Sequence, residues 1–83
     1  MKIIQLNPTD NVVVAIHAFA KNDSFVFDNQ TITLIDDIPA GHKIAICPIQ
    51  TGEAVVKYGF PIGWATKDIS SGQHVHLHNL KSE

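Results

Sequence analysis

A short motif that recurs three times restricts what this chain of 83 residues can fold into. The motif reads Ile-x-x-Gly-x-x-aliphatic and occupies residues 38–44, 49–55 and 69–75. Because glycine readily adopts a positive φ, each copy predicts a tight corner between two buried aliphatic anchors. The irregular spacing of the copies argues against a solenoid. Several corners in so short a chain favour a compact all-β fold of many short strands.

The apolar segments of the chain favour strands over helices. The runs at 12–16 and 43–47 are short, rich in β-branched residues and followed by turn-forming residues. Residues 28–30 are polar and lie between two alternating runs, which predicts a β-hairpin. We therefore expect a mainly β, all-β-class fold with short helical turns, forming a single domain over residues 1–83.

Composition narrows the choice of partners and compartment. The net charge is −2, and the six basic residues are all lysine, so no basic stripe is available for nucleic acid. The single cysteine excludes an internal disulfide, which favours a reducing, cytoplasmic setting. The four apolar residues before Pro8 are too few for a signal peptide, and no run approaches the ~20 residues that cross a bilayer.

Three histidines alternate near the end of the chain, at His74, His76 and His78. In a strand, alternate side chains share one face, so the three imidazoles are expected together, with Val75 and Leu77 on the opposite face. His-x-His spacing suits a metal ion, although a solvated polar face explains the same pattern. The sequence places no cysteine beside them, so completing a site depends on folding to bring in another group.

Other polar residues have simpler interpretations. His42 follows a tight turn, and His17 lies in an apolar run, where a partly buried imidazole is more common than a ligand. Cys47 is expected to be a small buried hydrophobe. Glu53 and Asp68 lie near turns, where a carboxylate is usually solvated or caps backbone amides.

The segment 57–65 combines two glycines with three aromatic residues and indicates a structured loop. One interpretation is a packed corner whose aromatic side chains, Tyr58, Phe60 and Trp64, fill the core. The other is that the glycines let a ligand or partner approach the backbone while Lys57 and Tyr58 point outward.

Several of these segments together resemble the amino-terminal domain of altronate dehydratases, which has the SAF-type β-clip fold. The resemblance extends over nearly the whole chain. The segments that carry it are Asp10-Asn11-Val12, Asn29-Gln30-Thr31-Ile32-Thr33-Leu34, Gly41-His42-Lys43, Lys57-Tyr58-Gly59-x-Pro61-Ile62-Gly63-x-Ala65 and His74-Val75-His76-x-His78-Asn79.

The resemblance implies a part in removing water from a sugar acid such as altronate or galactarate, with a divalent metal, iron being the expected one, in the assembled enzyme. In that family a second, larger region holds most of the active site, so a large catalytic subunit or domain is the expected partner. The small subunit of sulfolactate sulfo-lyase, from a related enzyme, is the alternative within the same group. Self-association into a homo-oligomer is also compatible with a thin core.

The resemblance also implies roles for particular residues. His74, His76 and His78 are the candidate metal ligands, and His76 is the candidate catalytic group. Lys57 and Tyr58, together with His42, are the candidate substrate-binding residues. Two other classes of function stay open: a module that binds a sugar acid or a metal without turnover, and a docking domain whose histidines are merely solvated.

Overall fold

The computed structural model describes residues 2–82, which form nine short strands joined by turns. The all-β expectation is confirmed, but the expected short helical turns are absent from these residues. Within the same range no helix is long and apolar enough to cross a membrane. The strands are β1 (Ile3–Ile4), β2 (Val12–Ala15), β3 (Ser24–Phe27), β4 (Gln30–Thr33), β5 (Lys43–Ala45), β6 (Ala54–Lys57), β7 (Phe60–Ala65), β8 (His74–Val75) and β9 (Leu80–Lys81).

A central antiparallel sheet with the order β1-β2-β5-β8 divides the hydrophobic core into two clusters. Alternate residues of β2 point to opposite faces, so Val13 belongs to one cluster and Val12 to the other. Their partners on β5, Ile44 and Ala45, follow the same division. Both faces of this sheet are therefore buried, which explains why β2 is apolar without alternation.

Each core cluster is covered by its own hairpin. The β3–β4 hairpin packs Phe25 and Ile32 against the first cluster, and its two-residue turn, Asp28–Asn29, has positive φ at both positions as a type I′ turn requires. The β6–β7 hairpin packs Val55 against the second cluster and is extended by β9. The hairpin predicted at residues 28–30 is thus confirmed.

Four corners, rather than the predicted three, connect these elements. The anchors Ile38, Ile49 and Ile69 are buried, and the glycine of each predicted corner has a positive φ. The fourth corner begins at buried Phe19 and turns on Asn22, whose φ is 77°. The anchors pair across the molecule through isolated antiparallel bridges, Phe19 with Ile38 and Ile49 with Ile69.

The corner hydrogen bonds show that two parts of the chain repeat one arrangement. The amide of Gly41 donates to the carbonyl of Ala15 at 2.8 Å, and in the second half Gly72 donates to Ala45 at the same distance. We call residues 15–44 the first half and residues 45–75 the second half. The β6–β7 hairpin departs from its counterpart by a bulge between Val55 and Val56.

Candidate histidine site

Three of the five histidines come together where the Gly41 corner meets the end of β8. One ring nitrogen from each of His42, His74 and His76 lies within 4.8 Å of the other two. His42 Nδ1 is 2.8 Å from His74 Nε2, and the His42 and His76 rings stack at 4.2 Å between centroids. His78 lies at the margin, with its ring centroid 5.1 Å from that of His74. We call His42, His74 and His76 the histidine cluster.

Strand alternation does not explain how the histidines meet. β8 ends at Val75, and residues 76–79 form a turn instead of continuing the strand. Leu77 is therefore 82% exposed, so the expectation that it shares a face with buried Val75 is wrong. The turn folds His76 back over His42, a residue from a different strand connection.

A proline accounts for the availability of His42. In the other three corners the residue after the turn accepts a hydrogen bond from the backbone amide three positions earlier, through the side chains of Asp23, Glu53 and Gln73. At the matching place in the corner that turns on Gly41 stands Pro39, which has no amide hydrogen to be capped. The side chain at position 42 is free of that task, and the imidazole of His42 contacts His74 instead.

Two side chains fix the backbone of the histidine segment. Asp36 accepts a hydrogen bond from the amide of His74 through Oδ2 at 3.0 Å. Asn79, which is fully buried, bridges the segment by accepting from the amide of His76 and donating to the carbonyl of His74. The histidine cluster is therefore held by polar contacts to its own backbone as well as by ring stacking.

The surroundings of His74 and His76 favour the neutral form of both imidazoles. Burial lowers the pKa of His74, and the positive charges that His78, His42 and His76 would carry lower it further, against a smaller opposing effect of Asp36. Burial also lowers the pKa of His76, with contributions from His42 and Lys43. A neutral imidazole keeps a lone pair on one nitrogen, which is the form that binds metals and accepts protons.

Lys57 and Tyr58 lie at the tip of the β6–β7 hairpin. Lys57 is half-buried, and its Nζ lies 5.8 Å from the centroid of the Tyr58 ring. Burial is the main cause that lowers the pKa of Lys43, and the charge of Lys57 adds to it. Lys43 is therefore close enough to Lys57 and to His76 for its charge to interact with both.

The segment 57–65 is an ordered hairpin, and the packed-corner interpretation is wrong for its first two aromatic residues. Tyr58 is 60% and Phe60 70% exposed, whereas Trp64 is half-buried. The glycines make room for the chain itself rather than for a ligand. A Cβ at Gly59 would meet the side chain of Asn7, and one at Gly63 would collide with the carbonyl of Lys81.

Asp10 fixes this tip, although the sequence predicted no role for it beyond its place in a segment that carries the family resemblance. Asp10 is 5% exposed, and its carboxylate accepts hydrogen bonds from the amides of Asn7, Tyr58 and Gly59 at 2.8–3.1 Å. The signal available in the sequence was its place beside Asn11 in a turn before β2. Asn11 bridges the neighbouring strand by accepting from Val56 and donating to Ala54.

The remaining candidates lie apart from the cluster. His17 is exposed and packs edge-on against Phe19, so the expected partial burial is wrong. Cys47 is exposed and not a buried hydrophobe, because β5 ends at Ala45. Glu53 and Asp68 cap backbone amides as predicted, and the hydrogen bonds from Thr51 lower the pKa of Asp68.

Two shallow depressions lie elsewhere on the surface. One, of about 340 Å³, is lined by residues 61–64 and Ser82. The other, of about 390 Å³, includes Asp10, Phe27 and Ile46. Neither depression is lined by a histidine, and His42, His74 and His76 are each partly exposed at the surface.

The short strands, tight corners and split core define an all-β domain of the SAF type. The family of the altronate/galactarate dehydratase SAF domain matches residues 1–83, and the chain belongs to this family.

Two kinds of enzyme contain segments similar in sequence to this chain. Altronate dehydratase of Escherichia coli is 45% identical over 82 residues, which is 99% of this chain and 17% of the relative. Altronate dehydratase of Bacillus subtilis is 43% identical over 95% of this chain and 16% of its own length. The alpha subunit of (2R)-sulfolactate sulfo-lyase from Paracoccus pantotrophus is 42% identical over 63% of this chain and 78% of the subunit. The chain thus spans about one sixth of the altronate dehydratases that it matches.

Proposed function

We propose that this chain is the SAF part of a sugar-acid dehydratase and removes water from a hexonate or hexarate together with a large catalytic subunit or domain. The observation that carries the proposal is the match along the whole chain to the SAF domain family, combined with the one-sixth coverage of the altronate dehydratases. More than four-fifths of such a relative lies outside the matched part. The open position of the histidine cluster agrees with a site completed by another structure.

The donor set of the cluster fits a divalent transition metal such as iron, the cofactor that we propose for the assembled enzyme. Imidazole nitrogen is a good ligand for iron and zinc. Two nitrogens bound to one tetrahedral ion at about 2.1 Å would be about 3.4 Å apart. His42 Nδ1 and His74 Nε2 are 2.8 Å apart, so a small outward movement and loss of the shared hydrogen would admit an ion.

His42, His74 and His76 would hold that metal in this arrangement. When bound, the metal would supply positive charge to stabilise the enediolate formed beside the substrate carboxylate. His78 of this chain lies at the margin of the cluster and stays a candidate ligand, which would reach the metal from the edge of the site where the partner is expected. His42 combines this position with its proposed role in binding substrate.

His76 is the residue that we propose for proton transfer. Its lowered pKa keeps the imidazole neutral near pH 7, so that it can accept a proton. A neutral imidazole has one nitrogen with a free lone pair, so His76 can bind the metal or accept a proton, but not both at once. Lys57 and Tyr58 are proposed to contact the anionic substrate from the hairpin tip, where Tyr58 is exposed.

A second candidate function is that of the small subunit of a sulfolactate sulfo-lyase. The observation that favours it is the match to two alpha subunits, of which this chain covers 51% and 78%. In this case the partner would again be a large chain, but the leaving group would be sulfite rather than water. The partner and not the SAF part would then determine the substrate.

The test begins with the native chain, or the longer protein that contains it, recovered from its source cells with whatever co-purifies. The recovered assembly is assayed with altronate, galactarate and sulfolactate. Formation of a 2-keto-3-deoxy acid supports the dehydratase, and release of sulfite supports the alternative. His76→Ala in the assembly should abolish turnover, and unchanged turnover would remove His76 from the mechanism.

Calorimetry separates an enzyme part from a module that acts alone. If the isolated chain binds a sugar acid tightly without a partner, it is a binding module. If the replacement of His74, His76 and His78 together leaves activity and metal content of the assembly intact, the chain is a docking domain. A metal that binds only to the assembly would assign the ligands mainly to the partner.

A further inference from the structure

Asn79 is the most completely hydrogen-bonded side chain near the histidine cluster. It is fully buried, and each kind of polar group that it carries has a partner. Its backbone amide donates to the carbonyl of His76 at 3.1 Å, and its carbonyl accepts from the amide of Thr66 at 2.9 Å. A polar residue with no exposure and this many contacts has a defined position and little freedom to move.

The side chain of Asn79 connects two backbone groups of the histidine segment. Oδ1 accepts from the amide of His76 at 3.0 Å, and Nδ2 donates to the carbonyl of His74 at 2.8 Å. The backbones that carry two members of the cluster are thereby tied to one rigid group. Asn79 itself is tied to the end of β7 through Thr66.

A carboxamide suits this bridge because its acceptor oxygen and its donor nitrogen are separate atoms at one end of a short side chain. One end must accept from an amide and the other must donate to a carbonyl, and an aspartate does not donate when it is ionised. We propose that Asn79 is a positioning residue that fixes His74 and His76 in the orientation in which their rings meet His42. This inference rests on the proposed function only in its metal-binding consequence, because the ring contact with His42 exists without a metal.

The chain contains a matched control for this bridge. Asn11 also joins two backbone groups of one strand, accepting from Val56 at 2.8 Å and donating to Ala54 at 2.9 Å. The two asparagines make the same pair of bonds, but Asn11 holds β6 rather than the histidine segment. Replacing either residue by alanine therefore removes the same pair of bonds, from a buried position at Asn79 and a partly exposed one at Asn11, with different consequences for the imidazoles.

The experiment compares Asn79→Ala and Asn11→Ala with the parent chain by three measurements. Thermal unfolding reports stability, ¹⁵N spectra of the metal-free imidazoles report the shared hydrogen between His42 and His74, and cobalt(II) titration reports the metal site. We expect both variants to lose stability. Only Asn79→Ala should change the imidazole spectra, and it should weaken cobalt binding by about 10–100-fold, the range found for residues that orient metal ligands.

Leu77→Ala serves as a second control, because Leu77 lies in the same turn but is exposed. If Asn79→Ala keeps the parent imidazole spectra and the parent cobalt affinity, the positioning role is wrong, whatever the loss of stability. If Asn79→Ala does not fold, Asn79→Asp, which can still accept from the amide of His76 but does not donate to the carbonyl of His74 when ionised, is measured by the same spectra, and parent spectra again overturn the proposal. If the parent chain binds no cobalt, the metal role of the isolated chain fails, while the spectra still decide the role of Asn79.

Discussion

The two halves of the molecule share one architecture but differ at their hairpin tips. In the first half the β3–β4 hairpin has a continuous register and an exposed tip at Asp28 and Asn29. In the second half the β6–β7 hairpin contains a bulge, and its tip is fixed by the buried carboxylate of Asp10. The β3–β4 hairpin therefore closes through its own two-residue turn, whereas the tip of the β6–β7 hairpin is held by a residue from outside the hairpin.

The four corners also differ from one another, in whether a side chain caps a backbone amide. Three corners are closed by a side chain that caps a backbone amide, whereas the corner at Pro39 has no amide to cap. That corner presents His42 to the histidine cluster. The candidate site thus lies where the repeated pattern is broken, and residues at the unbroken positions serve the fold.

The largest effect that distinguishes the halves is expected at matching glycines, Gly41 and Gly72. Both have positive φ, but a Cβ at Gly41 would meet nothing within 4 Å among the described residues, whereas one at Gly72 would collide with the carbonyl of Thr33. Gly41→Ala should cost about 1–2 kcal/mol from backbone strain alone. Gly72→Ala should cost about 3 kcal/mol or more, because backbone must also shift. Equal losses in urea unfolding would contradict this.

The next effect concerns the hairpin tips. In Asp10→Asn the side-chain NH₂ group would face at least one of the backbone amides that now donate to the carboxylate. The loss of that hydrogen bond should lower the free energy of unfolding by about 2 kcal/mol. The same change at the exposed tip of the β3–β4 hairpin, Asp28→Asn, should alter the free energy of unfolding by less than about 0.5 kcal/mol. Urea unfolding of both variants checks the difference. A stability of Asp10→Asn close to that of the parent would show that the hydrogen bonds to the Asp10 carboxylate are not needed to hold the tip.

The corners of this fold could be predicted from the sequence where they turn on glycine. Three corners were visible because each combines a glycine with aliphatic anchors. The fourth, at Asn22, was missed because asparagine there adopts the same positive φ without the glycine that the motif required. Phe19 and Phe25 keep the spacing of the anchors, so a search that allowed asparagine and aromatic residues would have found it.

The candidate site was harder to predict than the fold. Alternation in one strand grouped His74, His76 and His78, which all lie near one another, but it could not reveal that the strand ends at Val75. The proximity of His42 depends on a contact between residues distant in sequence. Asp10 and Asn79 were missed as structural residues because their hydrogen-bond partners are set by the folded chain and not by a local pattern.

A smaller effect is expected from pH, and it should come from His74 and His76. The pKa values of His74 and His76 are lowered in the folded chain, whereas in the unfolded chain they are near 6.5. Between these values the unfolded chain binds more protons, so this contribution to stability is full above about pH 6.5 and is lost as pH falls through the folded pKa values. The urea concentration at the unfolding midpoint of the metal-free chain should therefore decrease as the pH is lowered from about 7.5 to about 5.5. The double variant His74→Gln/His76→Gln should show a smaller fall, and an equal one would assign the effect elsewhere.

The smallest effect is expected at position 47, which matches His17 of the first half. Both side chains are exposed, so Cys47→Ser should change the free energy of unfolding by less than about 0.5 kcal/mol. Partial burial and then Glu53 raise the pKa of the Cys47 thiol, so a thiol reagent should react with the folded chain, but more slowly than with a free thiol near pH 8. Glu53→Gln keeps an oxygen that can accept from Gln50 and removes the charge, so it should accelerate the reaction. A thiol that reacts only in denaturant would instead place Cys47 in the core, as its apolar neighbours in sequence first indicated.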